Sequence, residues 1–255
     1  MCVVAFAWNT HPRWRLVLAG NRDEFHARPS AALAAWEDAP GVYAGRDLEG
    51  GGTWLGVDVR GRCALVTNVR DPRAPQDGRS RGLLASDYLR GGEGAEAYAQ
   101  ALAPQAAAFR PFNLLLFDAQ ACCWLSNHPQ RLARPVDGVH VLSNGQLDAP
   151  WPKALALGVS LAEWLEGTPE DTSFRLLFAA LADDTPWPDV YLPDTGIGLE
   201  RERLLSPAFI RGREYGTRAS TVVALDRAGG GIVEERRWGP DGAPLGRTRL
   251  ELPAA

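Results

Sequence analysis

The chain begins MCVVAFAWNTHPRWRLVLAGNRDEF (residues 1–25), and this stretch decides the fold that the sequence predicts. Residues 2–8 and 14–20 are apolar runs of strand length, and the Asn, Thr and Pro between them favour turns. They predict an antiparallel hairpin in which Trp8 faces Trp14 and Cys2 lies opposite Gly20. The polar run 21–25 is therefore expected to emerge beside the first residues of the chain.

Cys2 stands directly behind the initiator methionine and starts an apolar strand. Most free cysteines are small buried hydrophobic residues, which is the simplest interpretation. The alternative is chemical: aminopeptidases remove Met before a small residue, which would leave a thiol and an α-amine together on Cys2. These groups titrate at about 8.5 and about 7.7–8.0, so the amine could take the thiol proton near neutral pH. Thr–amine nucleophiles use the same arrangement.

Strand and helix signals continue along the chain. Strands at 53–59 and 62–68, joined by the two-residue turn Arg60-Gly61, predict a second hairpin that brings Thr53 close to Asn68. Helices are predicted at 83–89, 95–102, 151–167 and 172–184, and strands at 112–119, 122–126, 138–144, 220–226, 232–238 and 248–252. The segment 186–206, rich in Pro, Gly and charge, is predicted to be a long surface loop. The order of elements is typical of an α+β fold with two packed sheets, and we predict one domain over residues 1–255.

The composition narrows the classes of partner and site. The formal net charge is −4 and the pI about 5.6, with both signs interspersed, which disfavours nucleic acid or an anionic membrane surface as a partner. Without a basic leader or a long apolar run, the chain is expected to lack a transmembrane segment and to be cytoplasmic. Four cysteines without a CxxC pattern are expected to be reduced, and four histidines without ligand spacing predict no metal site.

Polar residues flank several of the predicted apolar strands. They are Asn21, Arg22, Asp23, Asn68, Asn144 and Arg218. The simplest interpretation of each is a strand end that meets solvent. A nucleophilic Cys2 would need the same residue types, namely a carboxylate to orient the amine, cations to favour the thiolate and amide donors for an oxyanion. Their convergence is a hypothesis, since only the first hairpin places any of them beside Cys2.

Several motifs in one order resemble a known family from residue 1 to about residue 250. They are MC at the terminus, NRDEF (21–25) followed by ARP, AGRD (44–47), GGTWLGV (51–57), ALVTNVRDP (64–72), FNLLL (112–116), LSNG (142–145), PWPK (150–153) and YGTRASTVV (215–223). The chain is identified as a member of the NRDE family, also called the Transport and Golgi organisation protein 2 family. That family is similar to N-terminal nucleophile (Ntn) hydrolases of the penicillin V acylase and bile-salt hydrolase type. The resemblance implies a four-layer αββα sandwich of two mainly antiparallel sheets covered by helices.

The resemblance also implies roles for individual residues. It implies Cys2 as nucleophile and base, with supporting residues Arg22 and Asp23, oxyanion donor Asn144 and site cation Arg218. The residues expected to contact the substrate are Asn21, Asn68 and Thr217, with Asn68 as a second oxyanion donor.

Two functions from different classes fit these residues. The first is an amidohydrolase that forms an acyl-enzyme on Cys2 from a small acylated amide and requires no cofactor. The second is a binding and trafficking protein for haem or a lipid or acyl-CoA ligand, with Cys2 or His26 as candidate axial ligand of haem. Tryptophans and the segment 186–206 would line its pocket, although tryptophans are more often core residues. A purely scaffolding role is a third alternative, which leaves a reactive N-terminal cysteine unexplained.

Overall fold

The computed structural model of the chain describes residues 2–74, 77–167 and 172–253. Those residues form two sheets with helices on their outer faces. The strands are β1 (Cys2–Trp8), β2 (Trp14–Phe25), β3 (Ser30–Ala35), β4 (Val42–Asp47), β5 (Leu55–Asp58), β6 (Cys63–Asn68), β7 (Phe112–Phe117), β8 (Cys122–Asn127), β9 (Gln130–Ala133), β10 (Gly138–Leu142), β11 (Tyr215–Asp226), β12 (Gly231–Trp238) and β13 (Pro244–Leu252). The helices are α1 (Gly82–Arg90), α2 (Ala95–Leu102), α3 (Pro152–Gly167), α4 (Arg175–Leu181) and α5 (Leu199–Leu204).

The strand order places the first hairpin beside the C-terminal strands, because β2 pairs with β11. The first sheet has the order β10-β1-β2-β11-β12-β13, and the second runs β3-β4-β5-β6-β7-β8-β9. Neighbouring strands are antiparallel throughout both sheets of the described residues. Helices α1 to α4 and most strands confirm the sequence predictions. Strands β3, β4 and β9 were not predicted. β3 is rich in alanine and β4 contains Gly45 and Asp47, which are residue types depleted in strands, and β9 is short and exposed.

Side-chain alternation along the strands produces three apolar layers. On β1, Val4 and Phe6 face the second sheet, while Val3 and Ala5 pack on the side of α3 and α4. The outer face of the second sheet packs against α1 and α2 in the same way, around Tyr88. The layers therefore follow the order helix, sheet, sheet, helix, which confirms the predicted four-layer αββα sandwich of the α+β class.

The first hairpin has a different register from the predicted one. Cys2 pairs with Arg22 rather than with Gly20. The reason is a longer turn, in which the ring Nδ1 of His11 accepts hydrogen bonds from two backbone N–H groups at 3.1 and 3.2 Å. β2 also continues through the polar run 21–25, because β11 pairs with its other edge there. This run is thus part of the sheet instead of a loop that follows it.

The second hairpin and the long loop also depart from prediction. Leu55 pairs with Leu65, one position away from the predicted register. The turn has three residues instead of two, and Gly61 has a φ of +70°, a left-handed conformation that glycine adopts without steric cost. The segment 186–206 contains a short 3₁₀ turn and α5, so the predicted loop is partly helical.

The composition predicted reduced cysteines and no transmembrane segment. All four cysteines are free thiols, as predicted, and all four are buried. Across residues 2–74, 77–167 and 172–253, none of the helices combines the length and the apolar character that crossing a bilayer requires.

Candidate active site

A cavity of about 940 Å³ opens at the end of the sandwich where β1 begins and where β2 and β6 end. Strands of both sheets form part of its wall, and loop residues, most of them in the segments 80–82 and 197–212, form the rest. Several predicted site residues line it: Cys2, Arg22, Asp23 and Asn68. A cavity of this size is large enough to enclose most of a small-molecule ligand.

Cys2 owes its position to the alternation of β1. Val4 and Phe6 point between the sheets, so Cys2 faces the same side and meets the cavity. Arg22 stands opposite it on β2. The backbone carbonyl of Cys2 accepts a hydrogen bond from Ser143 Oγ at 2.9 Å, which ties this strand end to the end of β10. The residue is only 6% exposed.

The Cys2 thiol is under opposing electrostatic influences. Burial raises its pKa, and the Asp23 carboxylate raises it as well, whereas Arg22 and a hydrogen bond from the backbone of Asp23 lower it. A protonated thiol is a weak nucleophile, so a reaction at Cys2 requires a base beside the sulfur. No histidine lines this cavity in the part of the chain that the structure describes.

Asp23 is held in a buried position next to Cys2. Thr217 lies opposite it on β11, and Thr217 Oγ1 donates a hydrogen bond to Asp23 Oδ1 at 2.7 Å. The same hydroxyl accepts the Ile210 N–H at 2.9 Å, which fixes its orientation. Burial raises the pKa of Asp23, and the cation of Lys153 opposes that change. Thr217 is therefore a positioning residue for this carboxylate in the structure.

Lys153 is a buried cation that sequence reasoning missed. It lies near the start of α3, is 3% exposed, and its Nζ donates to the Leu205 carbonyl at 2.8 Å. Burial lowers its pKa to about 8, and Asp23 opposes the shift. A signal was present in the composition, because Lys153 is the single lysine among 27 Lys and Arg residues. A chain that otherwise uses arginine keeps the compact ammonium group at this one buried position.

The two candidate oxyanion donors lie together but are oriented differently. Asn144 Nδ2 donates to the carbonyl oxygen of Asn68 at 3.1 Å and to Asn68 Oδ1 at 2.9 Å. Its amide protons are thus directed at Asn68. Asn68 lines the cavity, and its own Nδ2 donates a long hydrogen bond of 3.4 Å to the Val69 carbonyl. In this geometry Asn68 is the better placed donor, and Asn144 holds it.

A buried ion pair closes another side of the cavity. Arg70 Nη1 lies 2.5 Å from Glu202 Oε2, and both side chains are buried. The Arg70 guanidinium also stacks on Trp151, 4.6 Å from the ring centroid. Glu202 accepts two further hydrogen bonds from Thr195, so the pair fastens the segment 186–206 to the end of β6. Arg70 and Glu202 are 132 positions apart in the sequence, so no local pattern could predict that they pair.

Four residues expected at the site are absent from the cavity wall. Thr217 and Asn144 hold the wall residues Asp23 and Asn68, whereas Asn21 and Arg218 are directed elsewhere. Asn21 faces the helix side of β2, where its Nδ2 donates to the Leu181 and Ala208 carbonyls at 2.7 and 2.8 Å. Arg218 falls at a β-bulge of β11, so its side chain is turned away and donates to the Phe25 carbonyl at 2.8 Å. It lines a separate small cavity, which it shares with Arg22.

The residues considered for haem or a metal are also separated. His26 is absent from the wall of the large cavity, which leaves Cys2 as the candidate axial ligand there. Within the described ranges, no three His, Cys, Asp or Glu side chains are grouped closely enough to hold a metal ion.

Comparisons with known proteins agree with this architecture. The profile of the family described as Transport and Golgi organisation 2 matches residues 1–240. The Transport and Golgi organization protein 2 homolog of Bos taurus is 33% identical over 264 residues, which cover 92% of each chain. The Homo sapiens homolog is 30% identical over 262 residues, again 92% of each chain. The mutant C2A conjugated bile acid hydrolase from Clostridium perfringens has a similar structure, with a TM-score of 0.55 and 7% identity over 99% of this chain and 92% of that chain.

Proposed function

The chain belongs to the Transport and Golgi organisation 2 family, and from this premise we propose that it is an N-terminal cysteine hydrolase of amide bonds. It would cleave the carbon–nitrogen bond of a small acylated substrate. The observation that carries the proposal is the position of Cys2, at the start of the first strand, facing a large cavity beside Arg22 and Asp23. The fold shared with a hydrolase of conjugated bile acids supports a hydrolytic reaction.

The first step uses the two functional groups that Cys2 carries once Met1 has been removed. The α-amine takes the proton from Sγ, and the thiolate attacks the amide carbonyl carbon, so that a carbon–sulfur bond forms and the oxygen becomes negative. Asn68 Nδ2 donates to that oxygen. Asp23, held by Thr217, stabilises the ammonium that results from the proton transfer.

The second step releases the products. The tetrahedral intermediate collapses, the carbon–nitrogen bond breaks, and the ammonium of Cys2 returns its proton to the leaving amine. The thioester that remains on Cys2 is then attacked by a water molecule, whose proton passes to the α-amine. This second collapse restores the thiol and releases the acyl group as a carboxylic acid.

The test is turnover of a panel of N-acyl amides by protein with a native N-terminus. Cys2→Ala is expected to lower kcat/KM at least about a thousandfold, because it removes the nucleophile. Cys63→Ala is the matched control, since Cys63 is a buried thiol that does not line the cavity. Turnover that survives in Cys2→Ala would contradict the mechanism, and circular dichroism would establish that both variants are folded.

One observation favours a second candidate, a protein that binds an acyl ligand or haem without hydrolysing it. Phe25 and Leu204 line the cavity although they are 57% and 69% exposed, so an apolar ligand would cover them. Saturable binding of acyl-CoA or haem, without turnover of any amide, is the result that this candidate predicts. For haem, loss of the shifted absorption band in Cys2→Ala would identify Cys2 as the iron ligand.

A further inference from the structure

The large cavity is more basic than the chain that forms it. Among the residues that the structure describes, seven arginines but only three carboxylates line it, whereas the whole chain has a formal net charge of −4. The arginines paired with a carboxylate are Arg22 with Glu24, Arg28 with Asp47, Arg70 with Glu202 and Arg211 with Asp184. Arg81, Arg110 and Arg201 have no ion-pair partner among the described residues, so their positive charge is available to a ligand. Arg201 lies on α5, whereas Arg81 and Arg110 lie on two adjoining segments.

Arg81 and Arg110 are held side by side by the backbone. The Arg79 N–H donates to the Ala108 carbonyl at 2.9 Å, and the Arg110 N–H donates to the Arg79 carbonyl at 3.3 Å. Arg81 Nη1 donates to the carbonyl of Pro111, the residue after Arg110, at 3.0 Å. Two like charges are therefore fixed on adjoining segments at the cavity wall. The two positive charges repel each other, and an anion that binds to both arginines offsets this repulsion.

The pKa of Arg81 depends on the charges of both Arg110 and the proposed nucleophile, Cys2. Burial lowers the pKa of the Arg81 guanidinium, a Cys2 thiolate opposes that change, and the charge of Arg110 adds to it. Arg81 is thus influenced by both Cys2 and Arg110. Cys2, Arg81 and Arg110 line one cavity, so an anionic group bound to the two arginines would share that cavity with the reacting sulfur.

A second part of the cavity wall, called here the apolar wall, carries large hydrophobic side chains. The segment 197–212 contributes Ile197, Leu204 and Ile210, together with Arg201 and Arg211, and β2 contributes the exposed ring of Phe25. The cavity therefore combines a basic wall, formed by the loop residues Arg81 and Arg110, with an apolar wall from that segment and Phe25. A ligand that matches both walls is an amphiphile with an anionic group close to its polar end.

We propose that Arg81 and Arg110 form an anion site and that the substrate is an apolar acyl group joined by an amide to an amine that bears an anionic group. The anionic group, a carboxylate or a phosphate, binds the two guanidinium groups, and the acyl chain lies along the apolar wall. This inference rests on the proposed amide hydrolysis for its reaction, but the anion site itself does not depend on turnover.

Binding is measured first, with Cys2→Ala protein and three probes that share one acyl chain. The probes are N-dodecanoylglycine, N-dodecanoylethanolamine and N-dodecanoylphosphoethanolamine, which carry a carboxylate, no charge and a phosphate. At least one anionic probe is expected to bind about tenfold or more tightly than the neutral one, and the stronger of the two identifies the anion. Equal affinity for all three probes would overturn the proposal.

The arginines are tested by substitution in the same binding assay. Arg110→Gln and Arg81→Gln are expected to remove the preference for the anionic probe and leave the neutral probe unaffected. Arg110 is exposed, so its replacement leaves the fold intact even if that of Arg81 does not. Arg79→Gln is the matched control, because it changes the net charge equally in the same segment but does not line the cavity. An unchanged preference in Arg110→Gln, or an equal loss in Arg79→Gln, would overturn the proposal.

Turnover separates failure of this inference from failure of the proposed function. If wild-type protein hydrolyses the three probes at equal kcat/KM, hydrolysis stands and the anion site is wrong. If it hydrolyses none of them but binds the anionic probe selectively through Arg110, the anion site stands and the hydrolytic function loses its support.

Discussion

Cys2 begins β1 at the cavity end of the sandwich, whereas Cys63 and Cys122 begin β6 and β8 at the opposite end. All three thiols are buried, and burial raises the pKa of each. At Cys63 and Cys122 only further negative charges add to that effect, but at Cys2 the cation of Arg22 and a backbone hydrogen bond oppose it. Burial alone therefore does not distinguish the candidate nucleophile. The polar groups at its end of the sandwich do.

We call the end of the sandwich with the cavity the open end and the opposite end, where β6 and β8 begin, the closed end. Aromatic side chains pack between the sheets at the closed end. Phe117 meets Phe6 edge-on with ring centroids 5.2 Å apart, and Trp8 lies 5.9 Å from Phe117. These rings fill the space between the sheets that the cavity occupies at the other end. The same two-sheet frame thus supports stability at one end and an accessible polar site at the other.

The largest expected effect on turnover comes from moving the α-amine of Cys2 away from its thiol at the open end. Protein that carries one extra glycine before Cys2 keeps the thiol but moves the α-amine away from it. We expect turnover to fall about 10²–10⁴-fold, the usual contribution of a positioned base, while ligand affinity is retained. The control carries the same glycine at the C-terminus. Equal turnover with and without the extension at Cys2 would show that the amine is not the base.

Substitutions at the closed end are expected to lower the stability of the protein rather than its catalytic activity. Phe117→Ala should lower the free energy of unfolding by about 3–5 kcal/mol, because it leaves a cavity between the sheets. Phe25→Ala at the open end should cost less than about 1 kcal/mol, since its ring is 57% exposed. Urea denaturation measures both values. Similar losses at the two positions would contradict the division between a packed end and an accessible end.

A smaller effect distinguishes the buried cations of the two ends. Lys153 has a pKa lowered to about 8 by burial, whereas an unfolded lysine titrates near 10.4. Between these values the unfolded chain binds more protons than the folded chain, so the contribution of Lys153 to stability rises with pH. Below pH 8 the penalty of the buried ammonium is fully present. Arg15, buried at the closed end, stays charged over this range and adds no such slope.

Denaturation at pH 7.5, 8.5 and 9.5 tests this expectation. The stability of the wild-type protein relative to Lys153→Met should increase with pH, since methionine cannot titrate. Lys153→Arg keeps a permanent charge, so its stability relative to Lys153→Met should stay level. If the stability of the wild-type protein relative to Lys153→Met is also independent of pH, then burial does not lower the pKa of Lys153.

Local patterns in the sequence were sufficient for most of the fold. The apolar runs of β1 and β2 and the helical periodicity of α3 predicted those elements, because each pattern follows from which faces are buried. Register was not predictable to the residue. The side chain of His11 lengthens the first turn, and such a contact leaves no trace in hydrophobic periodicity.

The candidate site was predictable where backbone pairing brings its residues together. Cys2, Arg22 and Asp23 lie on two strands of one hairpin, so their proximity followed from the sequence. The bulge that turns Arg218 away depends on pairing between distant strands, and it could not be seen. The pair of Arg70 and Glu202 was hidden for the same reason.

The proposed reaction depends on activation of the Cys2 thiol by its own α-amine, and the rate of alkylation measures that activation. Protein with a native N-terminus and the glycine-extended form are each treated briefly with one equivalent of iodoacetamide at mildly acidic pH, then analysed by intact mass and peptide mapping. We predict that Met1 is absent, that Cys2 reacts ahead of Cys63, Cys122 and Cys123, and that it reacts faster in the native form than in the extended form. Retention of Met1, or equal Cys2 rates in the two forms, would contradict the account.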